Sequence, residues 1–477
     1  MKSLIRISQW MLLAVLAAAL LSCSNDDDDN NNPNGGGNSN DPTITEVGNT
    51  VRIRDNGGGI GTRTLTANKT WILENLVFVN TGQTLTIEPG TVIKGAATAG
   101  ENAAALAVAR GGRLLAEGTA EKPIIFTAEE DDVNNPNEAV DKLMGRWGGV
   151  LILGRARTNT IPSEQAIEGI PTTETRALFG GSDDSDNSGV IKYVSIRHGG
   201  ALIGPGNEIN GLTLGGVGSG TVIENVEIAF NSDDGIEFFG GTANVRNLIL
   251  AFNEDDYIDY DMGYRGKIQN VLILQGNTQG AGDRGFECDG GTDPEDGQPY
   301  ATPTIANVTS IGAGATDNSR RVATFRDNAG GYIHNSLFIE FGRGIDVEDN
   351  ESGEDSKARL DAGQLAFRNN QFFNVGNGQP DNLIYMLYYA AGASQGETRR
   401  DAALFTTGMN VVRDPGITVS YTNDRRFNPI PTGDVSGAVP VQDSWFQANA
   451  YRGAFAPGGT NWMRGWSMLS THGYLAN

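Results

Sequence analysis

A short strand motif, apolar-x-Asn-apolar-x-apolar, recurs along the middle of this 477-residue chain and limits what it can fold into. It reads Ile223-Glu224-Asn225-Val226-Glu227-Ile228, then Val245-Arg246-Asn247-Leu248-Ile249-Leu250, then Ile268-Gln269-Asn270-Val271-Leu272-Ile273. Looser copies sit at Ile305–Val308, Ile333–Ser336 and Phe367–Asn369. The Asn residues are 22, 23, 37, 28 and 34 positions apart. Repeats of about 20 to 50 residues mark solenoids and propellers, and the two shortest spacings suit one turn of a three-sided parallel β-helix. The longer spacings are then coils that carry loops.

A second strand follows each Asn strand and can be aligned coil by coil. The stacked triplets are Leu212-Thr213-Leu214, Ile236-Glu237-Phe238, Ile258-Asp259-Tyr260, Phe286-Glu287-Cys288, Ala323-Thr324-Phe325 and Ile345-Asp346-Val347. Alternation with period two turns the outer members of each triplet inward and the middle one outward. Cys288 therefore belongs to the core beside Phe and Tyr. The Asn column predicts a ladder of side-chain amides at a bend. The N-terminal half repeats the architecture in Gln83–Gly95, Leu106–Thr127 and Trp147–Gly154, short apolar strands between Gly-rich corners. The fold expected is all-β, a single-stranded parallel β-helix over residues 44–440, with loops inserted at 129–144, 158–176, 289–300 and 350–357. Three of the six Trp fall in the last 33 residues with Phe446, Tyr451, Phe455 and Tyr474. A bare solenoid edge invites aggregation, so residues 441–477 are expected to cap the last coil, with a carbohydrate-stacking platform as the alternative.

The N-terminus reads as an export signal. Lys2 and Arg6 precede an apolar run, Met11–Leu21, that is too short for a bilayer span of ~20 residues. It ends at Leu20-Leu21-Ser22-Cys23, which resembles the lipobox of bacterial lipoproteins. That resemblance implies removal of residues 1–22 and acylation of Cys23. Residues 23–43, opening with Asp26–Asp29 and rich in Asn and Gly, cannot bury apolar surface and form a tether. The acidic run resembles the surface-export signal of lipoproteins in the Bacteroidota; self-repulsion of an extended linker is the alternative. With Cys23 lipidated, Cys288 has no disulfide partner. A formal charge of −23 speaks against nucleic-acid partners, and three scattered His against a histidine zinc site.

Several strings together resemble a widespread family of exported β-helix lipoproteins of the Bacteroidota. They include Gly90-Thr91-Val92-Ile93-Lys94-Gly95, Ala116–Ala128, Trp147-Gly148-Gly149, Gly180–Gly189, Tyr193–Gly200 and Asn207–Leu214. The resemblance implies a right-handed coil and an outer-membrane address exposed at the cell surface, and it carries no reaction with it.

The sharpest chemical feature is an acidic column. Glu237, Asp259 and Glu287 are the outward residues of three successive coils, with Asp261 and Asp289 two residues further on. Corner acids precede them in Asn231-Ser232-Asp233-Asp234, Asn253-Glu254-Asp255-Asp256 and Asp283-Arg284. Unit charges ~4.8 Å apart repel by ~3.5 kcal/mol at an effective dielectric near 20, but by only ~0.9 kcal/mol in water. An exposed column is a solvated surface; a covered one needs Ca²⁺, protons or nearby cations, and oxygen clusters suit Ca²⁺. Glu237, Asp259, Asp261, Glu287 and Asp289 are the Ca²⁺ ligands expected in that case. Parallel β-helices include Ca²⁺-dependent polysaccharide lyases, and Lys267, Arg265 and Arg284 would supply the base or stabiliser here. Asn231–Gly235 resembles part of the polygalacturonase pattern, but that family's Gly-His-Gly and Arg-Ile-Lys elements are absent, and His198 is expected as a corner residue hydrogen-bonded to backbone. The leading expectation is a surface-exposed binding module that captures a glycan or another nutrient beside a TonB-dependent transporter. A lyase and a structural adhesin or envelope spacer are the alternatives.

Overall fold

The Asn of every repeat copy adopts the left-handed backbone region: φ is 55° at Asn225, 59° at Asn247, 60° at Asn270, 58° at Asn307, 54° at Asn335 and 57° at Asn369. Asn tolerates this region better than other residues with a Cβ, and each such residue bends one long strand into two faces of the coil. In this computed structural model, residues 40–476 are described apart from 99, 137–142, 205–206, 277–281, 292, 317–318 and 420–425. Cys23, the leader and most of the tether lie outside the described residues.

The long strands Val222–Ala229, Asn244–Ala251, Lys267–Leu274 and Thr304–Ile311 pair in parallel, in register on both sides of the bend. Ile223, Val245, Ile268 and Ile305 stack inside the first face, and Val226, Leu248, Val271 and Val308 inside the second. Asn247 Nδ2 donates to Asn225 Oδ1, and Asn270 Nδ2 to Asn247 Oδ1, both at 3.1 Å. The predicted ladder thus exists over three coils. A second bend follows, where Phe230 and Phe252 are also left-handed and stack with ring centroids 4.9 Å apart.

The third face is a separate sheet whose parallel strands run from Leu76–Val79 to Ile384–Tyr389. Phe238, Tyr260, Cys288 and Phe325 stack inside it, all essentially without exposure, so Cys288 is the core residue expected. The fold is the parallel β-helix read from the repeat. Among the described residues no helix is long and apolar enough to cross a membrane.

The ends differ from expectation. The first edge is closed by an antiparallel hairpin, Thr43–Val47 on Thr50–Arg54. The last coil is closed by Glu397–Arg400, antiparallel to Ile384–Tyr389, and by Phe405 of a short helix packing on Phe372. The aromatic C-terminal segment is not an end cap: it lies along the flank of the coils. Met463, Trp466, Met468 and Leu469 cluster there with Ile249, Leu272 and Ile339. Tyr474 meets Phe230 and Phe252. Polar contacts follow the same track. Asn307 Nδ2 donates to Tyr451 O at 3.0 Å, and Asn335 both donates to Val439 O and accepts from Val439 N. The reason is in the second face, where Leu248-Ile249-Leu250-Ala251 and Val271-Leu272-Ile273-Leu274 do not alternate. A strand apolar on both sides must be buried on both sides.

Replacing Asn247 by Ala removes two ladder bonds, worth ~1 kcal/mol each, and places a Cβ residue in the left-handed region at ~1 kcal/mol more. Asn247→Ala is therefore expected to destabilise by about 2–3 kcal/mol in a denaturant titration. Asn247→Gly, which keeps the backbone geometry, should lose roughly a kcal/mol less. Equal losses would show that the bend does not depend on the left-handed residue.

Candidate functional site

The acids gather on the outer side of the third face, because the register leaves them no choice. Thr213, Glu237, Asp259, Glu287, Thr324, Asp346 and Tyr385 are successive partners in one column. On the N-terminal coils the same sheet carries apolar Phe78, Ala107 and Leu151, covered by Ile167, Ile170 and Phe179 from the loop after Leu153. That loop is anchored past the acids, where Asn159 Nδ2 donates to Gly290 O at 2.7 Å. It leaves the acidic column beside a wall rather than on open surface. The preceding corner is tight, and a Cβ at Gly235 would sit 2.7 Å from Tyr257 O, so Asp233 and Asp234 are pressed against the next coil.

Two sets of carboxylates converge. Asp234, Glu237 and Asp259 each present an oxygen within 4.8 Å of the others, as do Asp233, Asp234 and Asp255, so Asp234 is common to both. Asp234 and Glu237 are buried, with 7% and 8% of their surface exposed. Asp234 Oδ1 accepts from Asp256 N at 2.9 Å, and Glu237 accepts from Asn210 Nδ2. Asp259 Oδ1 is buried and accepts from no group. Burial and then the neighbouring carboxylates push Asp234, Glu237 and Asp259 well above the usual carboxylate range. For Asp233 the same causes, burial and then Asp255 and Glu208, raise it to about 7.

Further along, the acids are paired with arginine, although burial still holds Asp256 well above the usual carboxylate range and Asp289 at about 8. Arg284 Nη1 lies 2.7 Å from Asp256 Oδ2 and 3.0 Å from Glu287 Oε1; Arg326 Nη2 is 2.7 Å from the same Glu287 oxygen. Arg326 also holds Asp289 at 2.9 Å, and Arg321 holds Asp346 at 2.6 Å. Burial would raise Glu287, but its hydrogen bond with Asp256 and the charges of Arg284 and Arg326 keep it below the ordinary value. Asp261 accepts from the backbone of Met262; burial raises it to about 6.

The five expected ligands are therefore split. Glu237 and Asp259 meet, joined by Asp234, whereas Glu287 and Asp289 belong to arginines. Of the three cations expected near the acids, only Arg284 is there. Arg265 pairs with Asp184 at 3.0 Å, and Lys267 with Asp443 at 2.6 Å beneath the C-terminal segment. Arg284, against its burial, is held more firmly protonated by Asp256 and Glu287, which makes it a stabilising charge and not a base. His198 also departs from expectation. It is a left-handed corner residue (φ 62°), but its buried ring nitrogens make no hydrogen bond, and Asp131 is 3.9 Å away. Asp233, Asp234 and Asp255 were visible in the repeated Asn-x-Asp-Asp corners. A third group, Glu295, Asp327 and Glu348, was not visible, because its members come from three unrelated segments.

The Asp234 group fits a hard cation. Three oxygens within 4.8 Å of one another lie no more than about 2.8 Å from a common centre, so small side-chain shifts bring all three to the ~2.3–2.6 Å of a Ca–O bond. Glycan hydroxyls or waters would fill the rest of the six to eight positions.

A coil of parallel strands stacked in register is the architecture of a β-helix. A family model described as the pectate-lyase-like β-helix domain matches residues 59–402, and the chain belongs to that family. No curated protein matches it. Among solved structures, the crystal structure of the Dettilon tailspike protein is similar at 12% identity and a TM-score of 0.25, over 68% of this chain and 62% of that one. The aligned part thus spans about three-fifths of the tailspike chain.

Raised carboxylates have a definite pH signature. Asp233 and Asp261 titrate at about 7 and about 6 in the fold, against 3.8 ordinarily. Between these values the folded chain binds more protons than the unfolded one, so stability falls as pH rises. Without divalent cations, Tm should drop from about pH 4 to about pH 7. Ca²⁺ at 100 times its Kd should restore about 2.7 kcal/mol at neutral pH. Asp259→Asn should raise the cation-free Tm and abolish the Ca²⁺ increment. A flat pH profile with no Ca²⁺ effect would contradict the site.

Proposed function

We propose that this chain is a lipid-anchored carbohydrate-binding protein of the outer cell surface, whose third face captures a polysaccharide through a divalent cation. The observation that carries the reading is Asp259, whose buried, unpartnered oxygen lies among Asp234 and Glu237 with no ion pair to any of the three among the described residues. Ca²⁺ held there would bring Lewis acidity and free coordination positions to a sugar's hydroxyls or carboxylate. Asp234, Glu237 and Asp259 would hold it, and the arginine-paired Glu287 and Asp289 would keep the neighbouring surface neutral.

The address rests on sequence. Cys23 in its lipobox-like context, the Asp26–Asp29 run and the resemblance to exported Bacteroidota β-helix lipoproteins support an anchor in the outer membrane facing outward. In that setting a TonB-dependent transporter is the natural recipient of captured glycan. The family match gives weight to a second reading, a polysaccharide lyase. Its base would have to come from outside Lys267, Arg265 and Arg284, two of which lie elsewhere and the third of which stays charged.

Calorimetry against a panel of plant and algal oligosaccharides, with Ca²⁺ and with EDTA, tests the binding. Affinity should weaken at least about tenfold, ~1.4 kcal/mol, in EDTA and in Asp259→Asn. Binding indifferent to both would sink the cation-bridged reading, and a rise in ultraviolet absorbance from unsaturated products would establish the lyase instead. Metabolic labelling with palmitate should mark the chain and fail in Cys23→Ser.

A further inference from the structure

At the far end of the third face a cavity of about 510 Å³ opens between the last parallel strand, the antiparallel strand Glu397–Arg400 and the turn through Gly376 and Asn382. Two guanidiniums line it. Arg343 donates from Nε to the Tyr385 hydroxyl at 3.0 Å, and Arg400 donates from Nε to Asn382 Oδ1 at 2.9 Å. Both side chains are thus tethered by neutral acceptors through one nitrogen, and the terminal amino groups of each have no protein partner among the described residues. Neither arginine forms an ion pair with a described residue. Among the described residues no carboxylate lines the cavity. Asp346, one coil before Tyr385 in the same column, is taken by Arg321 at 2.6 Å and by Thr324 at 2.8 Å. Tyr385 is 2% exposed and its ring lies 5.6 Å from the Arg343 guanidinium carbon, which fixes the fork in place.

In a chain of formal charge −23, two uncommitted guanidiniums facing one cavity are an exception that calls for an anion. A guanidinium's paired amino groups match the two oxygens of a carboxylate or sulfate. The remaining lining, Asn377 and Thr398, offers amide and hydroxyl groups suited to sugar hydroxyls. The volume lies within the range of small-molecule pockets.

We propose that this cavity binds an anionic sugar residue, its carboxylate or sulfate held between Arg343 and Arg400. The inference rests on the carbohydrate reading above and adds a second, cation-independent subsite to the same face. From Asp259 to Tyr385 is four coils, or ~19 Å at ~4.8 Å each. One extended polyanionic chain can therefore span the two places.

The test uses the whole lipid-free chain in EDTA and in the Asp259→Asn background, so that the acidic group contributes nothing. Trigalacturonate, a sulfated galactan oligosaccharide and maltotriose are titrated calorimetrically. At least one anionic probe should bind with an affinity that falls as salt rises, and maltotriose should not. Arg343→Gln and Arg400→Gln should each weaken it about tenfold or more at unchanged Tm, and Arg343→Lys should recover only part. Preference for trigalacturonate would assign the charge to a carboxylate, and preference for the galactan to a sulfate. Equal binding of maltotriose, no binding of either anion, or indifference to both substitutions would overturn the subsite. Each of these results leaves the Ca²⁺-dependent binding of the proposed function to be judged separately.

Discussion

Parallel strands stacked in register place every outward side chain about one strand spacing from its counterparts above and below. The whole molecule is a set of answers to that constraint. Where the counterpart is an amide, the answer is the ladder Asn225–Asn247–Asn270; where it is aromatic, the stack of Phe230 on Phe252. On the first face, signs alternate: Lys192 and Arg246 flank Glu224 at 3.5 and 3.7 Å. The third face does the opposite and sets Glu237, Asp259 and Glu287 directly upon one another.

The coil does not require that arrangement, since the first face shows charges placed to cancel. Buried like charges raise each other's proton affinity and cost stability unless something neutralises them. Arginine does so from Asp256 to Asp346. Among the described residues it stops short of Asp234, Glu237 and Asp259, which are left to protons or an external cation. The arrangement is thus a local sacrifice of stability, and such sacrifices concentrate at sites of function.

Much of this was legible in the sequence. The Asn spacing gave the coil, the triplets gave the third-face register, and Cys288 followed from alternation alone. The acidic column was visible for the same reason: a one-dimensional repeat turns sequence offsets directly into spatial neighbours. What lay outside the repeat was not legible. The Trp-rich segment was read as an end cap because its length says nothing of the direction in which it returns, although the uninterrupted apolar runs at Ile249 and Leu272 marked the flank that needed covering. Lys267 and Arg265 are close to Asp259 in number, but the bend between faces carries them to other partners, Asp443 and Asp184. Arg343 and Arg400 come from strands far apart in sequence and meet only through the antiparallel closure of the last coil.

On the proposed function, the third-face carboxylates hold protons that a divalent cation displaces. Ca²⁺ titration by calorimetry in two buffers of different ionisation enthalpy measures that displacement directly. At neutral pH binding should release protons, and the release should shrink at alkaline pH, where more of the raised carboxylates are already ionised. Absence of Ca²⁺ binding, or binding with no proton release at either pH, would contradict it.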